Sequence, residues 1–182
     1  KSVAGNFRGV SGHCAYNRRA GASLVPHPDG LPREVLQVAR HPDPRLAYEP
    51  EGAVWNFPCG NRGSLKLRLR VPKESQGLQM CLVDRWFNPV DPVVAHFAQH
   101  VLQIRAEGTI NGVACLKPDA WNDLEVRWET DSAKFRVGNE PWHDLRLVFP
   151  TRNGISYLHL QSEAPGPDPH GVFLESVAAS AL

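Results

Sequence analysis

Ser64-Leu65-Lys66-Leu67-Arg68-Leu69-Arg70-Val71 alternates apolar and polar residues without a break. In an extended chain successive side chains point to opposite faces, so the leucines and Val71 line one face and the three cations the other. A helix would scatter the same residues around its circumference, so the stretch reads as a strand with one dry and one wet face. The pattern recurs downstream. Leu78, Met80 and Leu82 repeat it, and Leu124, Val126 and Trp128 stand against Asp123, Glu125 and Arg127. Phe135 with Val137, then Leu145, Leu147 and Phe149, then Ile155–Leu160 and Val172–Val177 complete a series rich in β-branched and aromatic residues.

Turn signals separate these runs: Pro28-Asp29-Gly30, Gly60-Asn61-Arg62-Gly63, Asn111-Gly112, Gly138-Asn139 and Asn153-Gly154. Short strands punctuated in this way predict two antiparallel sheets packed face to face. The expected fold is all-β, a jelly-roll sandwich with at most a short helix. One segment is ambiguous. Within 91–104, Val94, Phe97, Ala98, Val101 and Leu102 fit a helical period, while Leu102, Ile104 and Ala106 alternate; an irregular stretch leading into a strand is expected. Residues 1–32 are glycine-punctuated and polar, and read as a linker or extended arm packing on a sandwich formed by 33–182.

Composition narrows the function classes. At 182 residues one core suffices. Twenty Lys+Arg against nineteen Asp+Glu leave 20 − 19 = +1, with no broad basic field for nucleic acid. No apolar run approaches the ~20 residues of a membrane span. The opening Lys1-Ser-Val-Ala-Gly has neither an initiator Met nor a signal-type apolar segment, which suggests a piece of a longer chain. Cys14, Cys59, Cys81 and Cys115 are 45, 22 and 34 residues apart and contain no CxxC pair. Cys81 falls inside an apolar run, where a buried free thiol is expected.

Several blocks carry a resemblance. Val54-Trp-Asn-Phe-Pro58, Asp84-Arg-Trp-Phe-Asn-Pro89, Trp121-Asn-Asp-Leu-Glu125, the hairpin 153–162 and Gly171-Val-Phe-Leu-Glu-Ser-Val177 occur in order. Together they resemble the concanavalin A-like (lectin/glucanase, laminin-G-like) sandwich modules found beside bacterial sialidase-type (BNR-repeat) β-propeller enzymes, over residues 33–180. The resemblance implies a non-catalytic accessory module, structural or glycan-contacting, with carbohydrate or the remainder of a parent enzyme as its partner. A secreted or periplasmic setting is implied in the same way. No Ser-x-Asp-x-Gly-x-x-Trp repeat of the propeller is present, so no catalytic residue is carried over.

Sugars stack their C–H faces on Trp or Tyr while carboxylates and amides take the hydroxyls. The carbohydrate-binding candidates are therefore Asp84, Arg85, Trp86, Asn88 and Trp142, whose tryptophans sit beside turn residues; Trp55 and Trp128 read as core. Asp168, in the proline-stiffened loop 165–171, is a candidate ligand for a structural calcium. Two further readings stay open. A complete sandwich-fold glycoside hydrolase or polysaccharide lyase would use Asp123 and Glu125, or His96 and His100. A protein-interaction or oligomerisation module would instead display an apolar patch.

Overall fold

The computed structural model describes residues 22–40, 52–89 and 91–182, so Cys14 and most of the predicted arm lie outside the described residues. Thirteen strands and one helical turn follow in order: β1 (Ala22–Pro26), β2 (Glu34–Arg40), β3 (Gly52–Gly60), β4 (Gly63–Arg70), β5 (Leu78–Val83) and α1 (Val94–Phe97). They continue as β6 (His100–Ile104), β7 (Thr109–Ile110), β8 (Val113–Ala114), β9 (Trp121–Trp128), β10 (Ala133–Val137) and β11 (His143–Leu145). The long β12 (Ile155–Ser162) and β13 (Asp168–Ala181) close the series.

They form a seven-stranded sheet, β1-β2-β13-β4-β9-β10-β11, and a six-stranded sheet, β3-β12-β5-β6-β7-β8. The pairs are antiparallel, and sequence-distant strands become neighbours, as a jelly roll requires: β13 lies between β2 and β4. The alternation of β4 is realised as expected, with Leu65, Leu67 and Leu69 buried between the sheets. Leu124, Val126 and Trp128 of β9 and Phe135 of β10 face the same core, opposed by Met80, Leu82, Leu158 and Leu160 of the other sheet. Each fully buried Leu or Phe contributes roughly 1.5–3 kcal/mol.

Trp55 and Trp128 are core residues, as their flanks predicted. Phe57 bridges them, 5.3 Å from one ring and 6.0 Å from the other, and the Trp128 indole N–H donates to the Gly60 carbonyl at 3.1 Å. Gly63 pairs across from Trp128, and a Cβ there would come within 2.2 Å of the indole. Only a residue with no side chain lets the two strands close over that ring. Asn111 and Gly112 both have positive φ and make the two-residue turn between β7 and β8.

Two expectations are modified. The 91–104 segment contains one helical turn before β6 starts at His100. The run Leu145, Leu147, Phe149 is not a continuous strand. β11 ends at Leu145, because Arg146 and Val148 turn to the other sheet: the Arg146 carbonyl accepts from His100 Nδ1, and the Val148 amide donates to the Gln99 carbonyl. Cys81 is a fully buried thiol, and burial, helped by Glu163, pushes its pKa up to about 12. Cys59 and Cys115 are also free thiols.

Trp128→Ala removes one of the two indole rings of this core and is expected to cost about 3–5 kcal/mol of unfolding free energy. Urea unfolding followed by far-UV circular dichroism measures it; a loss below about 1 kcal/mol would contradict the packing described.

Candidate functional site

The polar sides of β13, β4, β9 and β10 form the outer face of the seven-stranded sheet. Register sets them in cross-strand rows. One row reads Ala178, Lys66, Glu125, Arg136; the next reads Ser176, Arg68, Asp123. Ser64, Arg127, Lys134 and Asp144 follow at one end, and Arg70 with Trp121 at the other. Because Ser176 and Ala178 are small, β13 is a low floor beside taller neighbours. The result is a trough of about 300 Å³ lined by Lys66, Arg68, Asp123, Glu125, Ser176 and Ala178.

The floor is shaped by a β-bulge. Leu174 pairs with Leu69 and Ser176 with Arg68, so Glu175 is an extra residue between two inward-facing side chains, Leu174 and Val177. The bulge turns Glu175 outward, yet only a tenth of its side chain is exposed. A carboxylate so placed needs compensating cations. Arg33 pairs with it closely, and Arg68 Nε lies 2.6 Å from its second oxygen. His27 adds a neutral hydrogen bond at 3.2 Å. His27 Nδ1 accepts the Asp29 amide at 3.1 Å, so the ring proton is on Nε2 and is donated to Glu175.

Arg68 also reaches Asp123, with both carboxylate oxygens 3.1 Å from Nη1, so one guanidinium ties β13 to β9 across β4. At the far end Asp29 accepts the Trp121 indole N–H and Arg70 Nη1, each at 2.7 Å. The Trp121 bond, with Arg70 adding to it, outweighs desolvation and holds the Asp29 carboxyl below its usual range. At the near end Glu125 accepts from Arg127 Nε at 2.9 Å and from Arg136 Nη2 at 2.7 Å. Burial raises its pKa, but those two guanidiniums more than reverse the effect and keep it ionised.

Of the sequence-predicted residues, Trp142 lies on this face. It is half-buried, with Arg136, Arg127 and Lys134 at 4.6, 4.7 and 5.2 Å from its ring centre. Asp84, Arg85, Trp86 and Asn88 lie elsewhere, in the loop over the outer face of the six-stranded sheet. Trp86 and Trp142 therefore occupy opposite outer faces and cannot form one platform. Asp84 has a buried side chain that accepts from Arg85 Nε at 2.7 Å and from the Thr151 hydroxyl. Burial raises its pKa, but these bonds outweigh that effect and hold it below the usual range. Trp86 is 44% exposed. The Asn88 carbonyl accepts from His159 Nε2 at 3.1 Å, and Gln161 Nε2 donates to the carbonyls of Pro89 and Asp91. His159 and Gln161 project outward from β12 and pin this loop by its backbone.

The other candidates separate as well. Asp123 and Glu125 share the trough, but Glu125 is a fixed acceptor rather than the protonated acid that glycoside hydrolysis requires of one carboxyl. His96 is exposed on α1, whereas His100 is buried in β6 with Nδ1 on the Arg146 carbonyl. Asp168 is buried; one oxygen accepts the amides of His170 and Gly171 and the other that of Gln76. With both oxygens engaged by backbone amides, the residues around Asp168 do not fit a calcium ion. Among the described residues no group of three or more His, Cys, Asp or Glu side chains converges as a metal site. Sequence reasoning missed Arg33, Arg68, Glu175 and His27. The signal for the bulge was present: after Val172 and Leu174 the next core residue is Val177, one position late.

No family model matches the chain, and no curated protein matches it. Solved structures do. A sialidase superposes over 90% of this chain with a TM-score of 0.59 and 12% identity. A Caenorhabditis elegans galectin covers 73% of this chain and 94% of its own, with a TM-score of 0.50 and 15% identity. The Trypanosoma rangeli sialidase, in complex with a difluorinated nononic acid, covers 88% with a TM-score of 0.50 and 12% identity. The chain spans 16% and 26% of the two sialidases' own lengths. The fold is a concanavalin A-like β-sandwich.

Burial pushes the His159 pKa down to about 4, against the opposing pull of the Asn88 carbonyl and Asp91. The unfolded chain, with a histidine pKa near ~6.5, takes up the proton first, so stability present above that pH is lost as pH falls towards about 4. The difference corresponds to about 3 kcal/mol. Urea midpoints of the parent chain should drop between pH ~7 and ~4 more steeply than those of His159→Gln. Parallel curves would show that the imidazole is not held neutral.

Proposed function

We propose that this chain is a glycan-contacting accessory module of a larger carbohydrate-active enzyme, and that the trough on the seven-stranded sheet is its contact surface. The observation that carries the reading is the alternation of fixed donors and acceptors along the trough. Lys66, Arg68 and Arg136 donate, Asp123 and Glu125 accept, and Ser176 does both. Hydroxyl-rich ligands need such closely spaced donors and acceptors, and the ion pairs pre-order the side chains, lowering the entropic cost of binding. Trp121 and Trp142 stand at the two ends as aromatic walls. The accessory part of the reading is supported by the small share of the two sialidases that this fold occupies.

A second reading is favoured by one observation, the 44% exposure of Trp86. On it, the loop carrying Asp84, Arg85, Trp86 and Asn88 meets the sugar through the indole, with Asp84 and Asn88 holding the loop in shape.

A glycan array with the 182-residue chain, followed by calorimetry on the strongest ligand, tests the proposal. Ala178 is exposed on the trough floor, so Ala178→Trp fills the trough without entering the core. It should weaken binding by at least about tenfold, whereas Trp86→Ala should leave it unchanged. The reverse pattern would move the contact surface to the 84–88 loop, and no binding across the array would end the glycan reading.

A further inference from the structure

From the charge of the trough's β9–β10 side, we infer that the preferred ligand is an acidic saccharide, one that carries a carboxylate or sulfate. The inference rests on the trough being the glycan-contact surface. Four cations meet there: Lys66, Arg127, Lys134 and Arg136. Glu125 is the carboxylate between them and Asp144 stands opposite Lys134, so these two cross-strand rows carry 4 − 2 = +2; in the next row Arg68 offsets Asp123, while the whole chain carries +1. Arg62 and Glu129, at the rim of the adjoining 480 Å³ hollow, cancel each other.

Local pairing does not exhaust this charge. Glu125 is shared by two guanidiniums, each using Nε and one Nη2 hydrogen on it. Of the five N–H donors on each arginine, about three stay available. Lys66 makes no ion pair among the described residues. Lys134 has its ammonium 5.2 Å from the Trp142 ring centre, over the same ring that Arg127 and Arg136 approach. Three cations thus already crowd the indole, which makes a neutral sugar stacked on it a poor fit. An anionic substituent held in front of the same cations is a good one: planar guanidiniums bind carboxylates and sulfates through paired hydrogen bonds.

The test compares three matched trisaccharides by calorimetry on the whole chain: neutral galactotriose, trigalacturonate and a sulfated galactotriose, with a short DNA oligonucleotide as a control polyanion. At least one acidic sugar should bind about tenfold or more tightly than the neutral one, and that advantage should shrink between about 50 and about 300 mM NaCl. Lys66→Gln combined with Lys134→Gln removes two cations that form no ion pair among the described residues. It should erase most of the advantage, lowering affinity for the acidic sugars at least about fivefold more than affinity for the neutral one. Equal affinity for all three sugars overturns the inference while leaving the glycan reading intact. DNA binding as tight as the acidic sugars would identify a general polyanion strip and also overturn it. If no sugar binds, the underlying reading fails and the inference with it.

Discussion

A leucine at every second position of β4 can be dry only if a second sheet covers it. That single requirement organises the molecule. Leu65, Leu67 and Leu69 are buried against the strands of the six-stranded sheet, which forces Lys66, Arg68 and Arg70 onto the opposite surface. The same pleat sends Asp123, Glu125 and Arg127 outward from β9. The charged face is therefore the necessary reverse of the core, and its cross-strand rows follow from the register of the ladder. A one-residue slip would bury three cations and expose three leucines, so register and core specify each other.

On that face the bulge at Glu175 is the one departure from the pleat, and it decides the shape of the trough. Two consecutive residues, Glu175 and Ser176, point outward where the pleat allows one. The first is drawn down among Arg33, Arg68 and His27, and the second leaves an open floor. Arg68 then links this buried carboxylate to Asp123, so the floor and the wall of the trough are joined through one side chain. Surface ion pairs contribute little to stability singly, but here they hold long side chains in place before any ligand arrives.

The two outer faces solve the problem of exposed sheet differently. The seven-stranded sheet is covered by its own charges. The six-stranded sheet is covered by residues 84–89 and 91–99, which pack Val94 and Ala98 onto Cys81 and Val83. His159 and Gln161 are buried there because they bind backbone carbonyls of that segment. The loop chosen from the sequence for its tryptophan is thus also a lid on a sheet. Phe87, Phe97 and Phe149 gather beside it, with Arg85 5.8 Å from the Phe149 ring centre.

Alternation determined that the chain is a two-sheet sandwich, which residues of β4 and β9 are dry, and that Trp55 and Trp128 belong to the core. These are properties of neighbours one and two positions apart, and the pleat converts them directly into faces. The grouping of the site was decided only by the tertiary structure. Glu175 meets Arg33, 142 residues away, and His27, 148 away, because β13 is inserted between β2 and β4. Trp86 and Trp142 share a sequence environment, yet they end on opposite faces because their strands enter different sheets. Strand order arises from long-range packing, and no local period encodes it.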